Sequence, residues 1–208
     1  MANPSSKIVL VGIFFILIAV YLTAILNPKT SRNDLVIRKD EGRQGAFQVG
    51  FETMGTDGSI KVYADKLGSA RRMLTSAVNR IREIEAKMST YRPDSEIRRL
   101  NALAHKKPVH LSDDTIFVLK KAREITNLTA RAFDPTYAPL RTLWENAQRE
   151  KRLPNSEEIK KTVWDTGIDG LKLEKNKARF LKNNMKIDLG GIAKGYAIDE
   201  ATEILKDQ

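Results

Sequence analysis

The sequence predicts an α+β domain in which a mixed or antiparallel sheet packs against amphipathic helices. Two patterns carry that expectation. Apolar residues alternate with polar ones at Phe47, Val49 and Phe51, and again at Ile60, Val62 and Ala64, the period of half-buried strands. They then recur at helical spacing through Ala70, Met73, Leu74, Ala77, Val78, Ile81, Ile84 and Met88, one stripe about five turns long. A third observation, the 19 uncharged residues at 8–26, adds one N-terminal transmembrane helix ahead of the domain.

As a helix, residues 8–26 would be about 28 Å long, close to the roughly 30 Å hydrocarbon core of a bilayer. A cleaved signal peptide would carry a shorter apolar run and a small-residue exit, whereas Thr23-Ala24-Ile25-Leu26-Asn27-Pro28 is a poor cleavage site. Residues 1–26 are therefore read as a retained membrane anchor. Residues 27–45, polar, charged and broken by Pro28, Gly42 and Gly45, read as a linker. The domain occupies 46–208.

Within it, Thr56-Asp57-Gly58 reads as the hairpin turn between the two strands. Pro93 ends the long helix. Ser112 ahead of Asp113 and Asp114 marks a helix start, with Ile116, Leu119, Ala122 and Ile125 as its buried face. Residues 139–150 are predicted helical. Ser156 opens a short helix with Glu157 and Glu158 in its first turn. Residues 171–174, 178–182 and 186–189 read as short strands joined by Asn-containing turns. A closing helix runs from Ile192, with Ala197, Ile198, Ala201, Ile204 and Leu205 on one side.

Charged residues are 30% and hydrophobic residues 41% of the 208, an ordinary globular mixture. The absence of cysteine excludes disulfides, thiolate catalysis and zinc–thiolate sites. Net charge is +10, but the basic pairs Arg71-Arg72, Arg98-Arg99, Lys106-Lys107, Lys120-Lys121 and Lys160-Lys161 are scattered over predicted helix faces. Nucleic-acid binders concentrate such charge in one patch, so no nucleic-acid partner is expected. A positive surface still attracts an anionic dinucleotide or anionic lipid headgroups. His105 and His110 read as surface residues.

Residues 185–196 read M-K-I-D-L-G-G-I-A-K-G-Y. A strand, a two-glycine turn at Gly190-Gly191 and a helix start would direct backbone N–H groups outward, where they can hold phosphate. Lys194 adds a full positive charge, and Asp188 a carboxylate suited to a metal, a ribose or a ring N–H. Together these suit a nucleotide diphosphate. The same residues also describe a plain strand–turn–helix joint with a surface lysine, and spacing alone does not choose between the two.

The stretch D-L-G-G-I-A-K-G-Y resembles the core motif of the bacterial FAD:protein FMN transferases, the ApbE family. Further segments agree in the same order: M-G-T at 54–56, M-S-T-Y-R-P-D-S-E-I-R-R-L-N at 88–101, and A-F-D-P-T at 132–136 with P-L-R-T-L-W following to Trp144. The resemblance covers about 47–208 and implies an ApbE-like flavin transferase fold. It implies transfer of the FMN half of FAD to a threonine of a target protein, with release of AMP and a requirement for Mg2+. By the same resemblance Met54, Tyr91, Ala132, Phe133, Asp134, Asp188 and Lys194 would contact FAD, and Gly191 would offer an oxygen to the metal. No residue is assigned a catalytic role.

The family's remaining magnesium ligands, in a D-A-x-x-T-like segment, and its H-x-x-D-P-x-T-G-like FAD segment do not occur in these 208 residues. The final helix is uncapped at residue 208, so the chain is expected to be a fragment or truncated product, its domain incomplete at the C-terminus. Lys29, Arg32, Arg38, Lys39 and Arg43 after the anchor lean towards a cytoplasmic domain. Members of the family are mostly exported, and the expectation is a bacterial inner-membrane protein with its domain outside the cytoplasm. The implied acceptor is a subunit of a membrane redox complex. An inactive FAD-binding module, or a scaffold of such a complex, is the alternative, and a basic membrane-surface protein the third reading.

Overall fold

The computed structural model describes residues 35–39 and 45–206. The predicted anchor at 8–26 and most of the predicted linker lie outside the described residues. Among the described residues, no helix is long and apolar enough to cross a membrane. The described residues from Arg38 onward belong to one compact unit.

The element order is β1 (Ile37–Lys39), β2 (Ala46–Thr53), β3 (Thr56–Tyr63), α1 (Leu67–Met88), α2 (Glu96–Leu103), β4 (Val109–His110), α3 (Asp113–Leu128), α4 (Ala138–Arg149), α5 (Ser156–Trp164), a 3-10 turn (Ile168–Gly170), β5 (Leu171–Glu174), β6 (Lys177–Phe180) and α6 (Ala193–Lys206). The α+β expectation holds, with the strands in two sheets rather than one. β2 and β3 form an antiparallel hairpin. A second sheet has the order β4-β6-β5 and is antiparallel throughout.

The hairpin turns earlier than the sequence suggested. Thr53 pairs with Thr56, so the turn is Met54-Gly55, and Thr56, Asp57 and Gly58 already belong to β3. Both turn residues have positive φ, 49° and 71°, as a type I′ turn requires. Gly58 has a different purpose. It lies opposite Phe51, whose ring would come within 3.1 Å of any Cβ there.

The apolar stripe of α1 is buried as expected at Ala70, Leu74, Ala77, Val78, Ile81, Ile84 and Met88. The sequence reading passed over α2. Its start is written in Ser95, which is 1% exposed, accepts a hydrogen bond from the Arg98 N–H and donates one to the Ser89 carbonyl. One serine thus caps α2 and ties it to the end of α1. Ser112 does precede α3, but its hydroxyl donates to Glu96 at 2.9 Å instead of capping the helix. Asn155 and Glu158 close a reciprocal capping box at the start of α5.

Residues 186–189 are not a strand. Met185, Ile187 and Leu189 are buried on alternate positions, yet this extended segment has no ladder among the described residues. Asn101 of α2 supplies its partners instead, accepting from the Ile187 N–H and donating to the Ile187 carbonyl, both at 2.8 Å. The Asp188 N–H donates to the Pro135 carbonyl at 2.8 Å. α6 then packs along α1 through Ala193, Ala197 and Ala201, whose small side chains permit close approach. Ile198, expected on the buried side, is 62% exposed because it falls off that alanine stripe. His110 is exposed as read; His105 is half-buried.

An ion network fixes α6 in place. Arg80 of α1 bonds Asp114 of α3 at 2.6 and 2.9 Å and Glu200 of α6 at 2.5 and 3.0 Å. Lys87 reaches Asp114 at 2.7 Å, and the Tyr196 hydroxyl donates to Asp114 at 2.6 Å.

Candidate functional site

Three chain segments converge on one cavity of about 330 Å³. The tip of the β2–β3 hairpin contributes Met54 and Gly55. The end of α1 and the loop after it contribute Glu85, Met88 and residues 89–92. The turn into α6 contributes Asp188, Gly190, Ala193 and Lys194. The size lies within the range of small-molecule sites.

The cations and anions of this wall are differently employed. Lys194 is exposed and makes no hydrogen bond or ion pair with the described residues. Among the described residues Arg92 pairs with Asp94, at 3.0 Å, and both side chains are exposed. Glu85 is consumed by the hairpin: its Oε1 accepts the Met54 N–H at 2.7 Å and its Oε2 the Thr53 hydroxyl at 3.0 Å. Asp188, 7% exposed at its side chain, pairs through Oδ2 with Arg141 of α4 and accepts the Gly190 N–H through Oδ1 at 2.7 Å. Burial opposes the Arg141 charge, but the Asp188 carboxylate outweighs it and raises the guanidinium above its ordinary range.

The turn is a narrower anion cradle than its glycines suggest. The Gly190 N–H is spent on Asp188, and those of Ile192 and Ala193 on the Leu189 carbonyl. Positive charge at this wall therefore comes chiefly from Lys194. The cavity as built suits a flat apolar ring against Met54, with an anionic extension towards Lys194 and Arg92.

The ApbE family model matches residues 54–208. The chain belongs to the ApbE family. An FAD:protein FMN transferase from Vibrio cholerae is 33% identical over 159 residues, covering 75% of this chain and 48% of that protein. Another from Haemophilus influenzae is 30% identical over 170 residues, covering 74% and 47%. The solved structure of the flavin transferase ApbE from Vibrio cholerae matches with a TM-score of 0.69 at 33% identity, over 78% of this chain and 54% of that one. The chain spans about half the length of the curated relatives it matches.

Of the residues singled out by resemblance to the ApbE family, Met54, Tyr91, Asp188 and Lys194 line the cavity together. Tyr91 is 82% exposed, at its open rim. Ala132, Phe133 and Asp134 do not line it. Ala132 is exposed. Phe133 lies under the glycine turn, so close that a Cβ on Gly191 would stand 3.0 Å from its ring. Asp134 closes an Asx turn, accepting the Thr136 N–H at 2.9 Å and hydroxyl at 2.6 Å, and its second oxygen accepts the Ile168 N–H at 3.2 Å. Gly191 is exposed and offers a metal only its backbone oxygen. Among the described residues, no group of three or more His, Asp or Glu side chains could hold a metal ion. These residues by themselves do not make a magnesium site, and no chemical step is derived through one.

Sequence reasoning missed Glu85, Asn101 and Arg141. Two of them carry a signal. Glu85 adjoins Ile84 and lies one turn from Ile81 and Met88, and Asn101 is one turn from Ile97. A polar side chain that close to an apolar stripe is often engaged with backbone. Arg141 lies in the P-L-R-T-L-W segment, but nothing local announces Asp188 as its partner.

Proposed function

We propose that this protein, as part of a flavin transferase of the ApbE family, transfers the FMN moiety of FAD to a threonine of an acceptor protein. The threonine oxygen forms a bond to the flavin-side phosphorus of FAD. The pyrophosphate bond on its other side breaks, AMP leaves with the bridging oxygen and its electron pair, and the hydroxyl proton is lost to a base or solvent. Such a reaction is catalysed mainly by positioning and by neutralising phosphate charge.

The observation that carries this reading is the meeting of Met54, Tyr91, Asp188 and the unpaired Lys194 on one cavity. Met54 packs on the flavin ring, Tyr91 stacks at the rim, and Lys194 holds the pyrophosphate. Asp188 accepts from the flavin. Ala132, Phe133 and Asp134 support the turn from below, through Phe133 and the Pro135 carbonyl. The Mg2+ that the family resemblance implies would find here the Gly191 oxygen, with its other ligands supplied from outside the described residues. The acceptor is a subunit of a membrane redox complex, and the domain works outside the cytoplasm at a bacterial inner membrane, held by residues 8–26.

The test is to incubate the protein with FAD and a candidate acceptor and to follow two products. An acceptor peptide heavier by FMN at one threonine, with matching AMP release, supports the reading. FAD bound without labelling or AMP would reduce the protein to a binding module. No FAD binding at all would remove the reading.

A further inference from the structure

Met54 is an unusual residue for the place it occupies. It is the first of two turn residues in a type I′ hairpin, at φ 49°, ahead of Gly55 at φ 71°. That turn favours Asn-Gly, because a side chain with a Cβ is strained in the left-handed region and Asn tolerates it best. Hairpin formation alone does not explain a long apolar side chain here. Strain held at a cavity wall points to a use for the side chain that bears it.

Something must then hold the strained turn. The β2–β3 ladder reaches only to Thr53 and Thr56. Beyond it, the tip is fixed from outside by Glu85, half-buried on α1. One carboxylate oxygen takes the Met54 N–H at 2.7 Å and the other takes the Thr53 hydroxyl at 3.0 Å. Bonds to an ionised acceptor are the stronger kind. They join segments 31 and 32 residues apart in sequence. The tip, its clamp and the cavity coincide, since Met54, Gly55 and Glu85 all line the same space.

We infer that Glu85 is a positioning residue: its carboxylate locks the strained Met54-Gly55 turn onto α1 and so presents the Met54 side chain to the flavin ring. The inference rests on the proposed flavin site, and Glu85 itself does not react. A free hairpin tip would let the flexible thioether sample many directions, and ordering it would then weaken binding.

The test combines Glu85→Gln, Glu85→Ala, Met54→Asn and the double variant Met54→Asn/Glu85→Ala, in the full-length protein. Two readouts are taken: flavin affinity, with FAD as probe, and hydrogen exchange at the Met54 amide without flavin. Glu85→Ala is expected to weaken FAD about tenfold and to speed Met54 exchange at least as much, for loss of charge-assisted bonds. Glu85→Gln, which keeps the shape and one neutral acceptor, should fall between it and the wild type. Met54→Asn should raise thermal stability while weakening FAD. In the double variant FAD affinity should be no lower than in Met54→Asn, because there is no longer a thioether to present. FAD losses that multiply, or Met54 exchange unchanged in both Glu85 variants, would overturn the inference. If the wild type binds no FAD, the function reading and the presentation of Met54 fall together, and the exchange measurement still decides whether Glu85 holds the turn.

Discussion

The Asn101 side chain and the Ile187 backbone exchange two hydrogen bonds of 2.8 Å, one in each direction. A helix side chain thereby does for the segment that carries Asp188 what a neighbouring strand would do in a sheet. Its amide satisfies both polar groups of a residue that is fully buried.

Asn101→Leu leaves both Ile187 groups without partners. The expected cost is about 2–4 kcal/mol of stability, from two buried groups left unsatisfied. Urea denaturation of the two proteins checks it. A loss below about 0.5 kcal/mol, within the range of an ordinary surface substitution, would mean that water replaces the amide at no cost.

Arg141 and Asp188 form a pair in which the carboxylate is the buried member, 7% exposed against 31% for the arginine. Arg141→Met strands that carboxylate and should cost about 1–3 kcal/mol, less than a fully buried pair because water reaches the arginine. Adding Asp188→Asn removes the stranded charge and should recover much of the loss. Strictly additive losses in this double-mutant cycle would show that the two side chains are energetically independent.

The network around Asp114 sets a pH window. Hydrogen bonds from Arg80 foremost, with Lys87 and Tyr196, hold the Asp114 carboxyl well below the usual carboxylate range against the effect of burial. A carboxylate with a depressed folded pKa adds stability above its unfolded pKa and loses it as pH falls through the folded one. Stability should therefore decline below about pH 4. Burial, and then the bond to Asp114, push the Tyr196 phenol above its ordinary range. That contribution is complete below the phenol's unfolded pKa and is lost as pH rises beyond about 10. Tm measured against pH should show both limbs in the wild type and a shallower acid limb in Asp114→Asn. Parallel curves would show that the network adds nothing.

The proposed role of Lys194 at the pyrophosphate predicts that it distinguishes phosphate from ring. Lys194→Ala should weaken FAD about tenfold, the worth of one charge-assisted contact, and leave riboflavin unchanged. Titrations of both ligands decide it, and an equal effect on each would remove Lys194 from the pyrophosphate.

Much of the fold was legible because periodicity reports burial directly. The stripe of α1 and the alternation of β2 and β3 were read correctly for that reason. Burial is not pairing, however. Met185, Ile187 and Leu189 alternate as a strand does, while the backbone partner of Ile187 is a side chain 86 residues away. Gly58 resembled a turn residue, since a sequence does not show that Phe51 lies opposite. Ile198 misled because the face that docks α6 is made of alanines, which hydrophobicity undervalues. At the site, the motif residues were visible one by one. What organises them, Glu85 under Met54 and Arg141 beside Asp188, depends on distances that sequence spacing does not contain.

The network that seats α6 also sets an order of events in time. Arg80 and Glu200 meet across 120 residues, and such contacts close a long loop before they return any stability. During synthesis the hairpin tip at Met54 and the loop at Tyr91 emerge well before residues 188–206, and until α6 docks they face no opposite wall. On the proposed reading, a nascent chain is blind to flavin while α6 is still inside the ribosome. Dinucleotide capture at the proposed site would then be a late event, and a report that segments 120 residues apart have found each other.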